Sequence, residues 1–175
     1  VLLAQAARLR GATVDLVHGP LRVPQAWLEG LKCHAVVGSG AMDESLQQLQ
    51  PKADALLMCA AVADLRRTRP VADEKLPKHE LVGSIEGGWS LVPDLLEGLV
   101  RSRPQGQALL GFAALAGTDE QLLERGRQKL RAKGCDLLMV NPVDRPGQGL
   151  ESDQNAGWLL GPGDRCQICP LEDKL

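Results

Sequence analysis

The side chains in this sequence whose types and spacing could do chemistry fall into groups. An almost unbroken apolar run, Ala55 to Val62, leads through the small residues Cys59, Ala60 and Ala61 to a single acid, Asp64. A basic, proline-punctuated segment follows and reaches Lys75 and Lys78. A strand that ends in small residues, one carboxylate and then lysines suits a site for something phosphorylated. A second basic pair, Lys129 and Lys133, is four residues apart on one helix face. Like charges at that spacing cost about 0.2–0.5 kcal/mol in an isolated helix, and a phosphate between them would reverse the sign. A plain surface helix tolerates so small a cost, so the spacing alone decides little.

These groups need a scaffold. The run Ala55 to Val62 has no helical period and reads as a strand covered on both faces, and in open α/β sheets ligands bind just beyond the carboxyl ends of such strands. Val1 to Arg10 reads as an amphipathic helix stopped by Gly11, Ala12 to Val17 as a strand, and Leu21 to Gly30 as an irregular connection. Cys33 to Val37 reads as a short strand. A helix follows from Met42 to Gln50, with Ser39 or Asp43 near its N-terminus. Two prolines and alternating charge make Leu65 to Lys78 an exposed loop, and a short strand is expected around the Gly-Gly turn before Leu91. Pro93 sits where a helix running to Arg101 would open, a position where its missing N–H costs nothing. Ala108 to Ala113 and Cys135 to Val140 read as buried strands. Between them Thr118 and Gln121 form a capping box for a helix from Asp119 to Lys133, which Gly134 ends. Ala156 to Leu160 and Arg165 to Ile168 pair across a turn at Gly161 to Asp164. The alternation predicts a three-layer open, mostly parallel sheet, Rossmann-like or ribokinase-like, with an antiparallel hairpin at one edge.

Composition narrows the class. The 175 residues suffice for one domain with a core, and 44% apolar content with a net charge of -2 excludes both a disordered chain and a strongly basic nucleic-acid binder. One Phe, three Trp and no Tyr leave no aromatic platform for stacking single-stranded bases. No apolar run reaches the about 18 residues of a membrane span, so neither nucleic acid nor membrane is expected as a partner. Five cysteines, an odd number, suggest a reduced, cytoplasmic setting. Cys166 and Cys169 make a lone CxxC without further ligands and read as coincidence. Cys33, Cys59 and Cys135 read as buried small hydrophobes. The chain begins at Val1 inside a helical pattern and reads as a fragment, because a helix leading into a parallel strand implies an earlier strand.

Read in order, AAVAD (Ala60 to Asp64), EKLPK (Glu74 to Lys78), VPDL (Val92 to Leu95), GFAA (Gly111 to Ala114), KLRAKGCDLLMVNPV (Lys129 to Val143) and SDQN (Ser152 to Asn155) resemble the phosphopantothenate–cysteine ligase family. This is the C-terminal half of the bifunctional coenzyme A biosynthesis flavoproteins. The resemblance spans nearly the whole chain. It implies a single CTP-binding ligase domain over residues 1–175 whose first strand and Gly-rich phosphate loop would precede Val1.

The implied reaction activates the carboxylate of 4′-phosphopantothenate with CTP and Mg²⁺ as an acyl-cytidylate, and the cysteine amino group then displaces CMP. The implied partners are these small molecules, a second copy in a homodimer, and a fused decarboxylase half; FMN belongs only to that half. Toward CTP the resemblance assigns the strand-end residues Met58, Cys59 and Ala60, the acid Asp64 (also the candidate Mg²⁺ ligand) and the flap residue Lys75. It also assigns the helix-opening stretch Pro93, Asp94, Leu95 and Leu96, the single Phe112, and Lys129 with Lys133. Lys75 is the candidate catalytic group. The family's K-x-K-K run is Lys75-Leu76-Pro77-Lys78 here, and the polar residue that usually follows GFAA is replaced by Leu115. Asn141 and Ser152 to Asn155 match signature positions and read as loop structure. Taken one at a time, an Asp after a strand is more often a turn former, a lysine in a charged loop is more often solvated, and one buried Phe is ordinarily core. Two other classes remain open: a nucleotide-binding module or partner subunit without turnover, and a dinucleotide-binding oxidoreductase fragment, which would need a G-x-G-x-x-G that is absent.

Overall fold

The computed structural model describes residues 1–68, 83, 87–148 and 152–174. Lys75 and Lys78 lie outside the described residues. The chain divides into two compact units, residues 1–60 with 95–175, and residues 61–94.

The larger unit begins with helix α1 (Leu2–Leu9), strand β1 (Asp15–His18), a 3-10 turn (Gln25–Leu28), β2 (Lys32–Ala35) and helix α2 (Ser39–Leu49). After β3 (Ala55–Met58) it resumes with α3 (Leu95–Ser102), β6 (Ala108–Leu115), α4 (Asp119–Lys133), β7 (Leu137–Pro142), β8 (Gln154–Leu160) and β9 (Cys166–Asp173). β1 and β2 pair in parallel, Leu16 opposite Cys33. The main sheet has the order β3-β6-β7-β8-β9. Its first three strands are parallel and its last two antiparallel. The mostly parallel α/β sheet with an antiparallel edge hairpin is therefore as expected.

Side-chain periodicity explains the packing. Alternate residues of β6, Leu109, Gly111 and Ala113, are buried on one face. Helices α3 and α4 cover that face with residues four apart, Leu95 and Leu99, then Leu122, Gly126 and Leu130. Leu99, Leu109, Leu122, Leu138, Val140 and Leu160 are almost wholly removed from water. The opposite face is more open: Leu57 and Leu137 are 43% and 37% exposed. Two buried glutamines brace the start of β6. Gln50 donates to the Leu99 carbonyl at 2.7 Å and to Gln107 at 3.0 Å, and Gln107 donates back to the carbonyls of Gln50 and Ala53.

The smaller unit, residues 61–94, holds β4 (Leu65–Arg67) and β5 (Trp89–Leu91), an antiparallel pair. This corrects the expectation of a loop from Leu65. The prolines come later in the segment, so Leu65 to Arg67 keep every N–H for pairing with β5, and Arg66 Nε also donates to Ser90 Oγ at 3.1 Å. Two more expectations change. The strand expected over Ala55 to Val62 stops at Met58, and the cap of α2 is neither Ser39 nor Asp43. Gly38, at φ +89, precedes the helix with no side-chain cap bond, and Met42 N–H reaches its carbonyl.

Candidate functional site at the carboxyl edge of the sheet

The sheet has a step at the end where its parallel strands finish. β3 ends at Met58, which lies opposite Gly111. β6 continues four residues further, Phe112 to Leu115, paired there with β7. Among the described residues no strand pairs with β6 on the other side of that overhang. Backbone N–H and C=O groups are obligatory hydrogen-bonding partners, so this ledge beside Cys59 and Ala60, both exposed, presents main chain to a ligand. It lies where ligands bind in open α/β sheets.

The side chains around the ledge divide between the two faces of the sheet. Met58 lies on the covered face, packed against the core, beside Gly111. A Cβ on Gly111 would come within 2.9 Å of Leu96 Cδ2 and 3.3 Å of Cys135 Sγ, so helix α3 sits close on the strand because that residue is glycine. Leu95 is buried and Leu96 packs on the same core; what these two can offer a ligand is backbone at the start of α3. Phe112 points to the opposite, more open face, opposite Met139 in register. Cys59 and Cys33 are exposed, and only Cys135 of the three is buried. This corrects the expectation for Cys33 and Cys59: among the described residues β2 has a single neighbour strand, β1, and Cys59 falls after the end of β3. Burial pushes the Cys135 thiol up from its ordinary value of 9.0.

Lys129 and Lys133 are not brought to the ledge. Helix α4 starts at the carboxyl edge, and its exit strand begins at the other, where Asp136 N–H bonds to the Leu109 carbonyl. At 1.5 Å per residue Lys129 stands about 15 Å and Lys133 about 21 Å down the helix from Asp119. The pocket at that amino-terminal edge, about 430 Å³, is lined by Arg103 to Ala108 and Asp136. Its Arg103 and Asp136 are paired at 2.8 Å, so it is braced structure away from the strand ends.

In the smaller unit, Asp64 has an exposed side chain, while its carbonyl accepts the Val92 N–H at 2.8 Å. Pro93 and Asp94 are exposed. Among the described residues no group of three His, Cys, Asp or Glu could cage a metal. Mg²⁺ is commonly held by one or two carboxylates together with substrate phosphates and waters, and a lone exposed Asp64 fits that mode. Asn141 donates to Asn155 Oδ1 at 3.1 Å and to the Ala156 carbonyl at 3.2 Å, a structural tie between β7 and β8. Residues that sequence reasoning passed over also gather near the ledge. Arg125, Asp144 and Arg145 all engage the turn after β6 or the helix that follows it. Nothing in their spacing marks them, because they act across separate connections.

A family model described as "DNA/pantothenate metabolism flavoprotein C-terminal domain" matches residues 1–175. The chain belongs to this family. Relatives include the coenzyme A biosynthesis bifunctional protein CoaBC of Mycobacterium tuberculosis, 38% identical over 170 residues, and that of Escherichia coli, 34% identical over 174. The matches cover 90% and 98% of this chain but 38% and 41% of those proteins. The chain thus spans about two fifths of the length of these curated relatives. A solved C-terminal domain of a CoaBC protein superposes with a TM-score of 0.72 at 25% identity, covering 99% of this chain and 74% of that one. A DNA/pantothenate metabolism flavoprotein from Streptococcus pneumoniae, 15% identical, shares the fold at a TM-score of 0.72, covering 99% and 80%. Among the described residues no helix of this family member is long and apolar enough to cross a membrane.

Proposed function

We propose that this chain is the ligase part of a coenzyme A biosynthesis protein. CTP activates the carboxylate of 4′-phosphopantothenate as an acyl-cytidylate with release of pyrophosphate, and the amino group of cysteine displaces CMP. What supports the reading is the ledge at the carboxyl edge. The residues that the resemblance gives to CTP at Met58 to Ala60 and at Phe112 flank one stretch of main chain that no strand among the described residues pairs. A solved Cab2 variant of the same fold, 16% identical, is in complex with phosphopantothenate-cysteine, the compound this reaction would make.

In this mechanism the chain's own work is alignment and charge. Backbone groups along the ledge and at the start of α3 hold the nucleotide, because amide donors fixed in place cost no reorganisation as charge develops. Bound Mg²⁺ would neutralise triphosphate charge. Asp64 is the carboxylate proposed to hold it, and Lys75 the cation that follows the departing pyrophosphate; both enter on the resemblance. Pro93 and Asp94 are proposed on the same ground, at the opening of α3. A fused decarboxylase half with its FMN, a homodimer and a cytoplasmic setting belong to the same proposal. One observation favours a second reading, a nucleotide-binding module without turnover: Lys129 and Lys133 stand well down α4 from the ledge.

The test is CTP-dependent pyrophosphate release by the full-length gene product given 4′-phosphopantothenate and cysteine. Release that needs all three substrates is the expected result. Tight CTP binding with no pyrophosphate would replace the ligase with the binding module.

A further inference from the structure

The turn that closes β6 has no polar side chain of its own. Leu115 packs on the core, and the backbone of Leu115, Ala116 and Gly117 is held by two other segments, the connection after β7 and helix α4. Val143 N–H donates to the Leu115 carbonyl at 3.0 Å. Arg125 of α4 donates to the Ala116 carbonyl at 3.0 Å, and Asp144 Oδ2 accepts the Gly117 N–H at 2.9 Å. The next residue, Arg145, pairs with Asp119 in the first turn of α4 and lies 5.5 Å over the Trp158 ring. Gly117 has φ +134, and a Cβ there would stand 2.6 Å from Gln121 Oε1. The connection after β7 therefore grips the connection after β6 in two places, an acid on a turn amide and a base on a helix acid.

Exposed ion pairs of this kind add little to stability. Their larger effect is geometric, since an acceptor held in place fixes the amide it binds in one direction. The amide in question lies two residues beyond β6, whose overhanging edge forms the ledge.

We infer that Asp144, steadied by its neighbour Arg145, is a positioning residue for the nucleotide: it acts through the Gly117 amide to set the main chain at the end of the ledge. The inference rests on the ligase reading for the identity of the ligand. Asp144 itself touches no substrate, and what it needs is an acceptor oxygen, not a charge.

The experiment compares the full-length protein with Asp144→Ala and Asp144→Asn, reading CTP KM and kcat, hydrogen exchange at the Gly117 amide, and melting temperature. Asp144→Ala is expected to speed exchange at Gly117 and to raise the CTP KM by about two- to tenfold, the effect of one hydrogen bond. Its kcat should stay within about twofold. Asp144→Asn keeps an acceptor and should restore both exchange and KM. Faster exchange with an unchanged KM, or a raised KM that asparagine does not restore, overturns the inference. If the parent protein ligates nothing, the ligase reading fails separately, and Kd values for CTP and ATP take the place of KM. Affinities unchanged in Asp144→Ala, or a parent that binds neither nucleotide, then overturn the inference too.

Discussion

At the residue scale, the five thiols separate by environment. Cys33, Cys59 and Cys166 are exposed and Cys135 is buried. A thiol reagent at neutral pH should modify the exposed three in the folded protein and reach Cys135 only on unfolding; equal rates at Cys135 and Cys59 would contradict the packing. Cys135 also carries a pH signature. Desolvation raises its folded pKa, so the unfolded chain loses this proton first, near 9.0. The stability it contributes is fully present below that pH and declines as pH rises above it. Urea midpoints at pH 8 and pH 10 should therefore differ less in Cys135→Ala than in the parent. Lys75 lies outside the described residues, and its prediction comes from the sequence: Lys75→Ala should depress turnover strongly and leave the melting temperature nearly unchanged, since a lysine in a charged, proline-punctuated stretch is expected to contribute little to folding. A large drop in melting temperature would assign it to structure.

At the scale of elements, two helical glycines separate propensity from packing. Glycine costs about 0.5–1 kcal/mol relative to alanine within a helix. At Gly98 of α3 a Cβ would meet nothing within 4 Å, so Gly98→Ala should stabilise by that amount. At Gly126 of α4 the same Cβ would come within 2.6 Å of Val140 Cγ2 and 2.8 Å of Leu160 Cδ1. Overpacking there costs about 1–3 kcal/mol, more than the propensity gain, and Gly126→Ala should destabilise. Denaturation midpoints moving in the same direction for both would refute the packing of α4 on β7 and β8. The contrast also marks what could be read in advance. Helix α4 was legible from Asp119 to Lys133 because its signals are local: Thr118 and Gln121 form the capping box, and Gly134 takes the left-handed conformation at φ 70. The length of β3 and the existence of β4 were not, because a partner sets each. β3 has β6 beside it only as far as Gly111, and β4 needs β5, more than twenty residues away in the chain.

At the scale of the whole molecule, the mostly parallel sheet and its edge hairpin follow from the order of the elements, and family membership over residues 1–175 agrees with them. The site was legible only in part. Met58 to Ala60 and Phe112 flank the ledge, but that their strands are neighbours comes from the sheet order and not from the motifs. The Lys129 and Lys133 pair shares a helix face, as its spacing required, but spacing along a helix does not tell which end of the sheet that face reaches. Asp144 and Arg145 carried no signal, because their partners Gly117 and Asp119 lie in another connection. If the lysines act on CTP, Lys129→Ala should raise the CTP KM in the full-length protein; a value equal to the parent's would confine the nucleotide to the ledge. The central claim is that the ledge belongs to a CTP-dependent ligase, and pyrophosphate release by the full-length protein tests it most directly. The account predicts pyrophosphate and CMP in equal amounts, only when CTP, 4′-phosphopantothenate and cysteine are all present. CTP bound without any pyrophosphate released would contradict it.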